Sequence, residues 1–304
     1  RAPRHPPSAG KAIPDQQAHW IFIGGVVYFV TALIDYKWIK YLALPMYIGA
    51  LILMMVALKW GNKVHQIELP GFSFQPAQFA VVAGFVMMAW LLQEMGKWHV
   101  LLNLPLVRVA VITLVVMIPF SLVAMMGDMG SAIVWLPMVI IVMLVGGIPF
   151  RYLAMITSLG LAMIPILFYW LLPMVSERGA ERIEIYLDML NDRKVDIAGD
   201  AYGPHYVSMA VGTSGFKGKG YKATESDNSL HAMRYIPVKT AHNDYIFAVF
   251  AEERGFRGTI LLVLTFSMLL IQCIIVSYYS RDMSGQIIAA SVVALFFAHI
   301  FENI

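Results

Sequence analysis

Asp244 stands where a long polar stretch turns apolar, in the run His242-Asn243-Asp244-Tyr245-Ile246-Phe247-Ala248-Val249-Phe250-Ala251-Glu252-Glu253. A carboxylate at a membrane surface can take the proton of a hydroxyl on the head of a lipid-anchored substrate, provided the two come within hydrogen-bond reach. Partial burial beside Tyr245, Ile246 and Phe247 would raise its pKa toward a useful value, and His242 can orient or tune it. By its position alone Asp244 serves as readily as a helix N-cap. Upstream, Gly212-Thr213-Ser214-Gly215-Phe216-Lys217-Gly218-Lys219-Gly220 joins four glycines to two lysines. Backbone N–H groups in such turns form anion-binding concavities suited to a phosphate or diphosphate. Composition alone makes the same segment an ordinary flexible loop. Asp128 borders a helix, where N-capping is the stronger reading. Glu252 and Glu253 are expected to pair with Arg254 and Arg257 as a structural cluster.

The elements that position these residues are membrane helices. The chain is 59% hydrophobic and 13% charged, with a mean hydropathy of +0.70, far from the composition of soluble domains. Eight stretches are long and apolar enough to span: Ala18 to Tyr36, Tyr41 to Leu58, Pro76 to Leu92, Val109 to Met126, Ser131 to Phe150, Tyr152 to Val175, Thr259 to Tyr279 and Gln286 to Phe301. Pro119, Pro137 and Pro165 fall inside them, as membrane helices allow. The fold class is all-α: a polytopic membrane helix bundle with one large extracytoplasmic loop. Residues 1–176 hold the first six spans, 177–258 the loop with the candidate active site, and 259–304 the last two. Arg1 to Gln17 is polar and Pro-rich, lacks a signal-peptide layout, and reads as a loop or linker. The net charge of +3 and the absence of a basic tract argue against nucleic acid. The lone Cys273 is a small buried hydrophobe.

Basic residues orient the bundle. Lys37, Lys40, Lys97, Arg108, Arg151 and Arg281 lie in short loops after alternate spans, against Lys59 and Lys63 in the opposite loops. The positive-inside rule therefore puts the 177–258 loop outside, although Arg1, Arg4 and Lys11 run against it. That loop holds twelve of the nineteen acidic residues. Within it Ile183, Tyr186, Leu187 and Leu190 recur at helical spacing, predicting a short amphipathic helix over 181–191. The run Tyr245 to Ala251 is too short to span and is expected to lie in the interface.

The Gly-rich segment, Pro237, and then His242-Asn243-Asp244-Tyr-Ile-Phe-Ala-Val-Phe-Ala-Glu-Glu-Arg-Gly255-Phe-Arg-Gly258 resemble the SEDS family (shape, elongation, division and sporulation) of RodA, FtsW and SpoVE. Phe74-Gln75-Pro76 is similar to the family's Phe-Gln-Pro-Ser-Glu, Asp128-Met129-Gly130-Ser131 to its Gln-Pro-Asp-Leu-Gly-Thr, and Glu302-Asn303-Ile304 to the start of its Asn-Ile-Gly-Met stretch. The resemblance covers most of the chain. It implies a bundle of ten spans, of which this chain holds helices two to seven ahead of the loop and eight to nine after it. It also implies a bacterial cytoplasmic-membrane enzyme that polymerises lipid II into glycan strands beside a class B penicillin-binding transpeptidase, among membrane lipids.

Carried over residue by residue, the resemblance makes Asp244 the general base. It places His242, Gly215, Lys217, Gly218, Lys219, Gly220, Gln75 and Asp128 at the substrate. Lys217, Lys219, Lys239, Arg234 or a divalent cation would meet the leaving diphosphate, though no ligand spacing supports a metal. Two departures stand out: Gln78 and Val81 replace a membrane-embedded Glu and Lys, a loss that leaves neither partner buried alone. The family's Arg-Trp before this helix is missing too, with Lys63 or His65 nearest that surface. Lipid II transport and a non-catalytic scaffold for the transpeptidase are the alternative functions.

Overall fold

The computed structural model describes residues 9–61, 66–69, 72–166, 187–188, 202–237 and 241–303. Its helices are α1 (Ala9–Leu33), α2 (Ile39–Trp60), α3 (Pro76–Trp98), α4 (Pro105–Met125), α5 (Met129–Ile133), α6 (Trp135–Val145), α7 (Phe150–Ile166), α8 (Tyr202–Thr213), α9 (Ile246–Tyr279) and α10 (Met283–Asn303). A two-stranded antiparallel hairpin, β1 (Ile67–Leu69) and β2 (Phe72–Phe74), precedes α3 and pairs Ile67 with Phe74. Pro76 and Pro105 each open a helix, where the missing N–H would have had no intrahelical acceptor.

Five of the eight expected spans are long and apolar enough to cross a bilayer alone: Tyr41–Trp60, Pro76–Trp98, Pro105–Met125, Ile246–Tyr279 and Met283–Asn303. Among the described residues the other three correspond to shorter apolar helices, Gln17–Leu33, Gly130–Val145 and Phe150–Met163, and residues 167–175 of the sixth expected span lie outside them. The fifth expected span is broken at Val134 into α5 and α6. Residues 9–17, read as linker, are the first turns of α1, which the polar composition of that stretch concealed. The predicted helix over 181–191 lies outside the described residues except for Leu187 and Asp188, which are helical.

Helix α3 is the axis of the bundle. It packs against α2, α4, α6 and α10, and two thirds of its most apolar window is buried. Small residues allow close approach: Ala43, Ala50 and Ala57 on α2 and Ala77, Ala80 and Ala83 on α3 are buried. Gly84 lies against the ring of the fully buried Trp135, so a methyl group there would overlap the indole. Pro119 inside α4 leaves the Val115 carbonyl without its i+4 donor, and the Tyr47 hydroxyl of α2 donates to that oxygen.

The loops between helices gather at two ends. At one, the Tyr36 hydroxyl donates to Asp282 Oδ1 at 2.9 Å and Ser284 N donates to Gln93 Oε1 at 3.0 Å. At the other, Gln75 meets Asp128, and Glu302 closes on Gly130. Apolar side chains such as Phe22, Leu33, Leu261 and Met268 face outward, as a lipid-facing surface requires.

Candidate active site

The Gly-rich segment folds back onto α9 and repairs a break in it. Gly255 has φ 68° and ψ −169°, so the helical bonds from Phe256 and Arg257 to the carbonyls of Glu252 and Glu253 cannot form. All four freed groups find partners in the loop. Phe256 N donates to Gly215 O at 2.9 Å and Arg257 N to Phe216 O at 3.2 Å. In return Lys219 N donates to Glu252 O at 2.8 Å and Gly220 N to Glu253 O at 3.1 Å. Such complete pairing is what a buried backbone demands. Gly218, at φ 76°, lies so close to Gly255 that a side chain at either would strike the other strand's backbone.

Beneath this junction Glu252 is 1% exposed and bonded on both oxygens. Oε1 accepts from Lys219 Nζ at 2.8 Å and from Leu230 N at 2.6 Å. Oε2 accepts from His231 N at 3.0 Å and from Ser229 Oγ at 3.1 Å. The Lys219 ammonium also reaches Asn228 O at 2.7 Å and Thr213 Oγ1 at 3.4 Å. One carboxylate and one ammonium thus tie the end of α8, the Gly-rich turn, the 228–231 turn and α9 together. Sequence reasoning gave Glu252 a structural place but chose Arg254 and Arg257 as its partners. Its ion-pair partner is Lys219, and the Arg254 guanidinium lies over the Tyr221 ring at 5.7 Å. Glu253 Oε1 instead accepts from Lys222 N at 3.3 Å. The signal was present as a lysine between two glycines opposite a glycine in a helix, but spacing does not reveal that the two meet.

A small core holds the loop above α9. Ala210, Leu230, Ile236 and Ala241 are buried, with Met209, Met233, Tyr245 and Val249 packed around them. Tyr206 stacks on Tyr235 with centroids 4.8 Å apart, fixing α8 to the turn that follows Leu230. Within the run Tyr245 to Ala251, Ile246 opens a short helical piece that ends at the Gly255 break, ahead of the long apolar piece of α9.

Asp244 sits immediately ahead of that helix. The Tyr245 N-cap position carries no side-chain cap bond, and Ile246 N turns back to Asn243 O. Asp244 is exposed, so the flanking apolar side chains do not bury its carboxylate as expected. Its carboxylate has no hydrogen-bond or ion-pair partner among the described residues. His242, Lys217 and Arg234 are exposed as well, while Lys239 lies outside the described residues.

Gln75 and Asp128, separate in the sequence, meet at the start of α3 and α5. Asp128 caps α5, accepting from Ser131 N at 3.1 Å and Ser131 Oγ at 2.7 Å. Gln75 Nε2 donates to Asp128 Oδ2 at 2.8 Å, and Gln78 Nε2 donates to Ser131 Oγ at 3.0 Å. The amide at Gln78 is thus accommodated in a bonded cluster. Among the described residues no three His, Cys, Asp or Glu side chains gather into a cation site.

Comparison with known proteins places this arrangement. The chain is 28% identical over 287 residues to the probable peptidoglycan glycosyltransferase FtsW of Trichlorobacter lovleyi, covering 92% of this chain and 70% of that one. It is 26% identical over 289 residues to the peptidoglycan glycosyltransferase MrdB of Escherichia coli K12, covering 93% and 73%. A solved structure described as "Structural coordination of polymerization and crosslinking by a peptidoglycan synthase complex" superposes with a TM-score of 0.71 at 21% identity, covering 95% of this chain and 76% of that one. The rod shape determining protein RodA of Thermus thermophilus superposes at 0.60 with 20% identity, covering 94% and 72%. The FtsW/RodA/SpoVE profile, described as "Cell cycle protein", matches residues 8–304, and with that match over nearly its whole length the chain belongs to this family of multi-pass membrane proteins.

Proposed function

We propose that the protein is a peptidoglycan glycosyltransferase of the bacterial cytoplasmic membrane that joins lipid II units into glycan strands. The observation that carries the reading is the exposed Asp244 carboxylate, without a partner among the described residues and placed by a well-packed loop at the start of a membrane helix. The names of the curated relatives support the same chemistry. No described feature favours transport or a purely scaffolding role.

In the proposed reaction the 4-hydroxyl of one lipid-linked sugar attacks the anomeric carbon of another. Asp244 takes the hydroxyl proton, the new glycosidic C–O bond forms, and the bond to the polyprenyl diphosphate breaks. His242 lies two residues away, where it can orient the carboxylate or the sugar. Lys217, exposed on the Gly-rich turn beside Gly215, is the free ammonium of that turn and meets the leaving diphosphate. Lys219 and Gly220 act indirectly, by holding the turn on α9 through the ammonium and their amides, and Gly218 by its close approach to the Gly255 backbone. Gln75 and Asp128 bond to each other at the start of α3 and α5, so their part is to fix those two helices together. The described peptidoglycan synthase complex supports a penicillin-binding transpeptidase as partner.

Asp244→Ala in the purified full-length protein tests the assignment through lipid II polymerisation. The expected loss is about 10²–10⁴-fold, the usual contribution of a general base. An unchanged rate removes Asp244 from the chemistry.

A further inference from the structure

Arg254 and Arg257 stand on either side of the Gly255 break in α9, and both line an open groove of about 680 Å³. Phe250 ahead of the break and Leu261, Leu264 and Thr265 beyond it line the groove further, so two cations stand among apolar side chains. Both guanidiniums are exposed, and neither has a carboxylate partner among the described residues. The Arg254 guanidinium lies over the Tyr221 ring, and Arg257 offers its backbone N–H to Phe216 O.

Two lengths place this groove. From Arg257 to the helix end at Tyr279 is twenty-two residues, about 33 Å of helix and close to the thickness of a bilayer's hydrocarbon core. The arginines therefore stand at headgroup level with the trough below them among lipid chains. From Asp244 to Arg254 is ten residues, about 15 Å along the helix direction. That separation is comparable with a disaccharide together with its first phosphate.

We infer that the arginine pair and its groove bind the diphosphate and first isoprene units of the acceptor substrate, while Asp244 meets the sugar hydroxyl at the far end of the same molecule. The inference rests on the proposed glycosyltransferase reading. Paired guanidiniums suit a diphosphate because each presents a planar fork of donors to its oxygens. The branched isoprene units fit a trough of Leu and Phe side chains. The diphosphate lost in the reaction belongs to the other substrate, so this site governs binding of the attacking partner and not departure of the leaving group.

The test uses the full-length protein in phosphatidylcholine nanodiscs with undecaprenyl diphosphate as the probe, read by native mass spectrometry. Arg254→Gln with Arg257→Gln is expected to reduce the bound probe about tenfold or more, and to raise the KM for lipid II while kcat stays within about twofold. Arg254→Lys with Arg257→Lys restores part of the binding. Leu261→Trp, at an exposed position in the trough, blocks binding without touching a charge. Unchanged probe binding in the double Gln variant overturns the inference. Displacement of the probe by an equal amount of phosphatidylglycerol also overturns it, since the arginines then attract any anionic headgroup. Asp244→Asn is run in parallel and is expected to bind the probe normally without polymerising. Polymerisation by Asp244→Asn refutes the catalytic reading and leaves the binding measurement to stand by itself.

Discussion

Asp128 and Asp244 both precede a helix, at opposite ends of the chain's central stretch, and they have opposite surroundings. Around Asp128 the bundle supplies three donors: the amide and hydroxyl of Ser131 and the amide group of Gln75. Around Asp244 the described residues of the loop supply none, although the same loop gathers four donors on Glu252 only eight residues later. The carboxylates that hold the structure are saturated, whereas Asp244, the proposed base, has no partner among the described residues. A network whose members are all bonded rigidifies its region, and an unbonded exposed acid keeps its lone pairs for a substrate.

The sharpest way to break this contrast is to neutralise each aspartate in turn. Asp244→Asn should abolish polymerisation while unfolding stability changes by less than about 0.5 kcal/mol, as expected of an exposed site without contacts. A large drop in stability would mean that the bare carboxylate is structural after all. Next in size, Glu252→Ala leaves the Lys219 ammonium, 14% exposed, without its buried partner. Loss of such a pair costs about 3–5 kcal/mol. Hydrogen exchange should show the 215–231 segment opening first, and adding Lys219→Met should recover much of the loss. Asp128→Ala removes the α5 cap and should cost about 1–2 kcal/mol, measured by denaturant unfolding in detergent. Ser131→Ala should then add little, because the two side chains share one interaction.

The smallest effect is a pH dependence at Asp227. Its carboxylate accepts from the Thr224 amide and hydroxyl, and the amide bond foremost holds its pKa below the ordinary 3.8. A depressed folded pKa means the capping turn contributes fully above pH 3.8 and loses its contribution as pH falls through the lower folded value. Exchange protection at Asn228 and Ser229 should therefore be flat through neutral pH and decline only in acid. A decline beginning near neutrality would assign the turn to another group.

Much of the fold was legible in the residues alone, because hydropathy adds up locally: a run such as Pro105–Met125 cannot be anything but a helix once lipid surrounds it. Asp244 was legible for the same reason, as an acid at a polar-to-apolar boundary. The polar opening of α1 was missed because composition there says nothing about hydrogen bonding within a helix. The break in the fifth span at Val134 has its mark three residues on, in Pro137, whose missing N–H leaves the Ile133 carbonyl without its helical donor.

The sequence by itself determined a membrane bundle, the position of its large loop and the acid at its edge. Tertiary structure alone decided which charges find partners: that Lys219 belongs to Glu252 across thirty-three residues, that Gln75 belongs to Asp128 across fifty-three, and that Arg254 and Arg257 are left over a groove. The physical reason is that hydropathy and helix periodicity depend on neighbours in the chain. A salt bridge or a repaired helix break depends on which backbones approach in space, and here that approach turns on two glycines, Gly218 and Gly255, with no side chains in the way.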